Sequence, residues 1–219
     1  MPAPQRETAG KIALNIAVVD YGMGNIRSVS KALERVAPQA RVLVTADPQA
    51  ILAADRVVVP GQGAMPDCMR QLSASGARDA VIEATRSKPF LGICIGMQML
   101  FEHGEEGGTP GLALLAGGVP RFPAARMAGL KVPHMGWNQV RQTRPHALWA
   151  GIETGERFYF VHSYYPDPSD PGVVAATSEY GLTFTAAVAR DNIFAVQFHP
   201  EKSQAAGLRL LSNFINWRP

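Results

Sequence analysis

The sequence predicts an α/β protein, an open, mostly parallel sheet flanked by helices, with antiparallel strands added in the C-terminal half. In the first half, short runs rich in Val and Ile alternate with amphipathic stretches, the pattern of buried parallel strands joined by helical crossovers. In the second half, short strand-like runs succeed one another with Pro and Gly between them, as in hairpins. The 219 residues, 47% apolar and 18% charged, suffice for one large core and exclude disorder as the main theme.

Residues 12–20 (IALNIAVVD) form an apolar, β-branched run suited to a strand buried on both faces. Ile26, Val29, Leu33 and Val36 then recur at helical spacing, and the helix must stop before Pro38. Residues 41–45 and 55–59 are two more strands. Between them Asp47-Pro48 reads as a helix cap with Pro in the first helical position. Helix is expected over 65–87 with a break at Ser75-Gly76, then a strand at 89–93 and a helix at 95–103. After a Gly/Pro-rich loop at 104–111, strands are expected at 119–122, 130–133, 137–141, 158–165, 173–177, 182–189 and 193–198. A last helix, about 203–217, carries Leu208, Leu211, Phe214 and Ile215 along one face. The domain is expected to span 12–219, after a disordered leader at 1–11.

Net charge is only +3, with Lys and Arg scattered, so a nucleic-acid footprint is not expected. The most apolar stretch, Pro89 to Phe101, is too short to span a bilayer. The N-terminus lacks the apolar core of a secretory signal. A cytoplasmic chain with free thiols at Cys68 and Cys94 follows.

Gly92-Ile93-Cys94-Ile95-Gly96 stands where a predicted strand meets a predicted helix. This is the nucleophile-elbow pattern with Cys in place of Ser. The tight turn needs small flanking residues, lifts the side chain above the sheet edge, and sets it at a helix N-terminus that favours an anion. A buried cysteine in an ordinary glycine-rich turn explains the pentapeptide equally well. Cys68, between Asp67 and Met69, reads as a packing residue.

Far downstream, residues 194–203 (FAVQFHPEKS) form a strand ending in His199, with Glu201 two residues on. Pro200 favours extended backbone at His199, which turns both side chains to one face. A carboxylate beside an imidazole fixes its tautomer and stabilises its charged form, which a cysteine nucleophile needs from its base. As a metal site the pair supplies two ligands and no obvious third. Pro60-Gly61-Gln62-Gly63 follows a predicted strand and can offer backbone N–H groups to an oxyanion. Gly22-Met23-Gly24 does not complete a dinucleotide fingerprint, because Arg27 takes the third glycine position.

Taken together, these motifs resemble the class I (triad) glutamine amidotransferases. The strings at 20–29 (DYGMGNIRSV), 133–138 (PHMGWN), 158–165 (FYFVHSYY) and 196–203 (VQFHPEKS) are similar to those of the members that serve histidine biosynthesis. The resemblance runs from about Ile12 to Trp217. It implies L-glutamine as substrate, Cys94 as nucleophile, His199 as general base and acid, and Glu201 as the residue orienting His199. It further implies backbone oxyanion donors at Gln62 and Ile95, and substrate contacts at Gly61, Gln98, Ser163 and Tyr164. The family's oxyanion strand usually has Val where Gln62 stands. No cofactor or metal is implied. In such members the ammonia passes to a separate (β/α)8 synthase subunit in a heterodimer, which uses it to form imidazole glycerol phosphate. Asn25, Trp137 and Lys202 are the implied partner contacts. Sister glutaminases would share the triad but not PHMGWN or YGMGN, and a non-catalytic binding subunit need not keep the triad.

Overall fold

The computed structural model describes residues 14–127 and 129–219. The expected leader at 1–11 and the first residues of the expected strand at 12–20 lie outside that range. The parallel half builds as its patterning predicts: β1 (Asn15–Val19), α1 (Ile26–Val36), β2 (Arg41–Thr45), α2 (Pro48–Ala53), β3 (Arg56–Gly61), α3 (Met65–Ala74), α4 (Arg78–Ala84) and β4 (Phe90–Cys94). Every residue of β3 and β4 is buried, which is why both read as apolar runs without alternation. Asp47 caps α2 by accepting the Gln49 N–H at 3.0 Å, a contact typically worth about 1 kcal/mol. The break between α3 and α4 falls at Gly76, whose φ is +76°.

The helix after β4 is shorter than its sequence suggests. α5 (Ile95–Gln98) gives way to β5 (Phe101–Gly104) instead of continuing to 103. The Leu100 carbonyl accepts from Leu114 and Leu115, and that of Phe101 from Ala113, so tertiary pairing displaces the helix. A short apolar run is compatible with either state, and here the partner strand decides. β6 (Thr109–Pro110) and β7 (Leu115–Val119) complete that local sheet. Gly117 and Gly118 hid β7 from the sequence pattern, and the strand expected at 119–122 shares only Val119 with it. The strand expected at 130–133 does not form.

The remaining elements are β8 (His134–Gln139), β9 (Arg141–Gln142), β10 (Arg157–His162), β11 (Asp167–Pro168), β12 (Val174–Glu179), β13 (Thr183–Arg190), β14 (Ile193–Val196) and α6 (Gln204–Asn216). The main sheet has the order β2-β1-β3-β4-β14-β13-β12-β9. It is parallel from β2 to β14 and antiparallel from there to β9. A smaller sheet, β11-β7-β5-β6, and an antiparallel ribbon, β10-β8, flank it. Arg56, at the root of β3, is buried and donates to the Ile215 and Trp217 carbonyls at 2.9 and 2.7 Å. It thereby ties the central strand to the far end of α6, where a cation suits the helix dipole.

The order of the parallel strands positions the chemistry. β3, β4 and β14 are neighbours, so the segments leaving their carboxyl ends, at Gln62, Cys94 and His199, converge on one edge. That edge is where open α/β sheets bind ligands. Among the described residues no helix is long and apolar enough to cross a membrane.

Candidate active site

The elbow is real and strained. Cys94 sits at φ 55° and ψ −111° between β4 and α5, a backbone conformation that non-glycine residues rarely adopt. The flanking glycines are required by close approach. A side chain at Gly96 would run into the Val59 carbonyl, and a Cβ at Gly92 would lie 2.7 Å from the Gly96 oxygen.

Cys94 opens onto a cavity of about 290 Å³ that His199, Gln98, Gln62, Ser163 and Tyr164 also line. His199 lies at the end of β14, its main chain held at both sides. Its N–H donates to the Tyr159 carbonyl at 2.9 Å, and its carbonyl accepts from the Ser203 hydroxyl at 2.6 Å. The Ser203 oxygen accepts in turn from the Tyr159 N–H at 3.0 Å, so β10 and the histidine share one anchor. His199 Nδ1 is 2.9 Å from Glu201 Oε1. With a carboxylate there, Nδ1 carries a proton, and buried Nε2, which has no other partner, is left for the cysteine. Burial alone would lower the pKa of His199. Attraction to the Cys94 sulfur and to Glu201 outweighs it and pushes the imidazole up to about 10, which favours its protonated form.

Gln98 is buried, and its Nε2 donates to the Tyr164 carbonyl at 3.2 Å and to Gln197 Oε1 at 2.9 Å. Its Oε1 is buried without a partner, an acceptor ready for an amide N–H. Gln197 completes the row with Nε2 3.6 Å from Cys94 Sγ. Sequence reasoning passed over Gln197, although it lies two residues before His199 and so on the same face of an extended run. It also passed over Glu106, a carboxylate in the cavity wall whose Oε2 accepts the Met65 N–H at 2.8 Å. No local motif marked Glu106, because it reaches the cavity only through the turn after β5.

The Ser163 carbonyl accepts the Phe122 N–H, and the Tyr164 carbonyl accepts from Gln98 and from His162 Nδ1 at 2.8 Å. Those bonds engage the carbonyls of this segment, and both residues line the cavity. His162 must hold its proton on Nδ1, since a carbonyl only accepts. Its Nε2 then accepts from His134 Nδ1 at 3.0 Å, and His134 Nε2 accepts from the Asn138 amide at 3.3 Å. Burial lowers His134 to about 4 and His162 to about 3, which keeps this chain neutral.

Gln62, Gly63 and Ile95 line the cavity, whereas Gly61 is buried behind them. Of the residues marked as partner contacts, Asn25 is half-buried and donates to Glu201 Oε1 at 3.1 Å. It therefore steadies the carboxylate that orients His199. Trp137 is 42% exposed on the outer face of β8, beside Met135 at 63%. Lys202 places its ammonium 5.9 Å from the centre of the Tyr159 ring, which Trp137 meets edge-on.

Residues 17–217 match the family model described as glutamine amidotransferase class-I. The imidazole glycerol phosphate synthase subunit HisH of Aromatoleum aromaticum is 64% identical over 210 residues, covering 94% of this chain and 99% of that protein. HisH of Dechloromonas aromatica is likewise 64% identical over 209 residues, or 93% of this chain and 97% of its own length. The structure of PurLQS from Thermotoga maritima superposes with a TM-score of 0.69 at 18% identity, covering 94% of this chain and 99% of that one.

Proposed function

The chain belongs to the class I glutamine amidotransferases, and from that premise we propose that it is the glutaminase subunit of an imidazole glycerol phosphate synthase. It hydrolyses L-glutamine and supplies the ammonia to a (β/α)8 synthase subunit in histidine biosynthesis. The observation that carries the reading is the convergence of Cys94, His199 with Glu201, and the unpartnered Gln98 oxygen on one cavity.

The Cys94 sulfur adds to the γ-carboxamide carbon of glutamine, and the carbonyl oxygen becomes an oxyanion facing the amides of Gln62 and Ile95. Each such donor is typically worth about 2.7–4 kcal/mol in the transition state. His199 Nε2 gives its proton to the departing nitrogen, which leaves as ammonia, and a γ-glutamyl thioester remains on Cys94. Water then attacks the thioester while His199 Nε2 takes its proton. The C–S bond breaks, glutamate departs, and the thiolate–imidazolium pair is restored. Glu201 holds Nδ1–H throughout, so only Nε2 exchanges protons. Gln98 Oε1 accepts from the substrate amide, the Ser163–Tyr164 amides hold the α-carboxylate, and Glu106 faces the α-ammonium.

The exposed Met135–Trp137 face of β8, with Tyr159 and Lys202 beside it, is the surface assigned to the synthase subunit. The decisive experiment measures glutamine hydrolysis by the isolated chain, then with the (β/α)8 subunit and its nucleotide ligand. Turnover that rises on complex formation and disappears in Cys94→Ala, while ammonium salts still support synthesis, is the expected result. Glutamine turnover by Cys94→Ala overturns it. Equal rates with and without the partner leave an independent glutaminase.

A further inference from the structure

We propose that Tyr21 and Cys68 are positioning residues for glutamine hydrolysis: from beneath the Pro60–Gly63 loop they fix the peptide planes on either side of the Gly61–Gln62 peptide, and so aim the loop's amides. The proposal rests on the glutaminase reading and adds to it the side chains that hold the oxyanion loop in place. The Tyr21 hydroxyl, at the end of β1, donates to the Pro60 carbonyl at 2.7 Å. The Cys68 thiol, on α3, donates to the Gln62 carbonyl at 3.5 Å. Both side chains are buried, yet neither lines the cavity. Their influence on substrate therefore passes through the loop.

A trans peptide points its N–H opposite to its C=O. Holding the Pro60 carbonyl on Tyr21 turns the Gly61 N–H away from Tyr21. Holding the Gln62 carbonyl on Cys68 turns the Gly63 N–H away from Cys68. The peptide carrying the Gln62 N–H lies between these two fixed planes. Above the loop Gln62 and Gly63 are exposed, so the constraint comes from below. The fit there is close: a Cβ on Gly61 would meet the Tyr21 oxygen at 2.9 Å and the Ile95 Cβ at 2.6 Å. Burial raises Tyr21 well above its ordinary value and pushes the Cys68 thiol up to about 11. Both groups keep their protons at neutral pH and remain donors.

An oxyanion donor acts in the transition state and not in the ground state, so misaiming it lowers kcat and leaves KM nearly alone. The test uses the complex with its (β/α)8 subunit and compares wild type, Tyr21→Phe, Cys68→Ala and Cys68→Ser. Tyr21→Phe removes only a hydroxyl and is expected to lower kcat for glutamine about tenfold, below the loss of a whole oxyanion donor, with KM within about twofold. Cys68→Ala is expected to lower kcat by about threefold and Cys68→Ser to restore it, since a hydroxyl is a stronger donor to the same carbonyl. Synthesis driven by ammonium salts and the rate of Cys94 alkylation by iodoacetamide should match wild type. A Tyr21→Phe kcat equal to wild type overturns the proposal. So does a fall in ammonium-driven synthesis or in Cys94 alkylation that parallels the loss of kcat, because that marks a general structural defect. If wild type itself does not hydrolyse glutamine, the glutaminase reading has failed rather than the loop's support alone.

Discussion

The elbow and the β8–β10 ribbon serve the same cavity by opposite means. At the elbow, main chain packs on main chain: Cys94 is held at a positive φ, and Gly92 and Gly96 leave room for carbonyl oxygens. In the ribbon, alternate residues of one strand face opposite ways. Met135 and Trp137 point outward, while His134 points inward and stacks between Phe160 and Tyr180 at 5.0 and 4.0 Å. The elbow fixes one geometry and tolerates no added atom. The ribbon couples an outer surface to an inner hydrogen-bond chain, and each face can be altered separately.

The sharpest break is Gly96→Ala. The added methyl collides with the Val59 carbonyl, and overpacking of this kind costs about 1–3 kcal/mol or more. Loss of glutamine hydrolysis together with a lower melting temperature is expected; a variant with wild-type turnover would show that the elbow is not tightly packed. Next in size is the base pair of the triad. Glu201→Gln should slow turnover less than His199→Ala, and the double change should cost little beyond His199→Ala, because residues acting as a unit are not additive. Independent, additive losses would separate the two residues.

On the ribbon, Trp137→Ala should weaken binding to the (β/α)8 subunit by about 2 kcal/mol, as hot-spot tryptophans do, read by titration calorimetry. Affinity within about 0.5 kcal/mol of wild type, the usual range for surface changes, would take Trp137 out of the interface. The inner face of the ribbon is read by pH. Unfolded histidines titrate near 6.5, above the values of about 4 and about 3 for His134 and His162. The unfolded chain therefore binds protons first on acidification. The contribution of these two residues is complete above about pH 6.5 and declines as pH falls toward 4. His199, held up at about 10, has the opposite sign: its contribution is complete below about 6.5 and lost toward 10. His146, lowered to about 4 by burial, adds to the acid slope and remains in any ribbon variant. Tm should fall from pH 7 to 5, with a shallower slope in His162→Gln; an unchanged slope would mean that the pair does not titrate in this way.

What the sequence made legible followed from the same contrast. α1 was bounded by its periodicity and Pro38, α2 by Asp47-Pro48, and the elbow by its glycines, because each is set by neighbours in the chain. The β5–β7 pairing escaped, since bonds from Leu114 and Leu115 to Leu100 override a local helical preference. The contact of Asn25 with Glu201 spans 176 residues, and no local pattern records it. Cys94, His199 and the Pro60–Gly63 loop were marked by local motifs, and Gln98 by the family resemblance. Gln197, Ser203 and Glu106 act through long-range hydrogen bonds, and their roles emerge only once the strands are in place.

The position of β14 in the sheet has a consequence for synthesis of the chain. β4 pairs on one side with β3, which the ribosome makes first, and on the other with β14, made roughly a hundred residues later. Until then the edge of β4 is unpaired and apolar, a site for misassembly on a growing chain. The segment that closes this edge also delivers His199. From the making of Cys94 until that of His199 the nascent chain therefore holds the cysteine without the histidine proposed as its base, and an unfinished molecule lacks that pair for consuming glutamine. Completion of the sheet and onset of chemistry are one event.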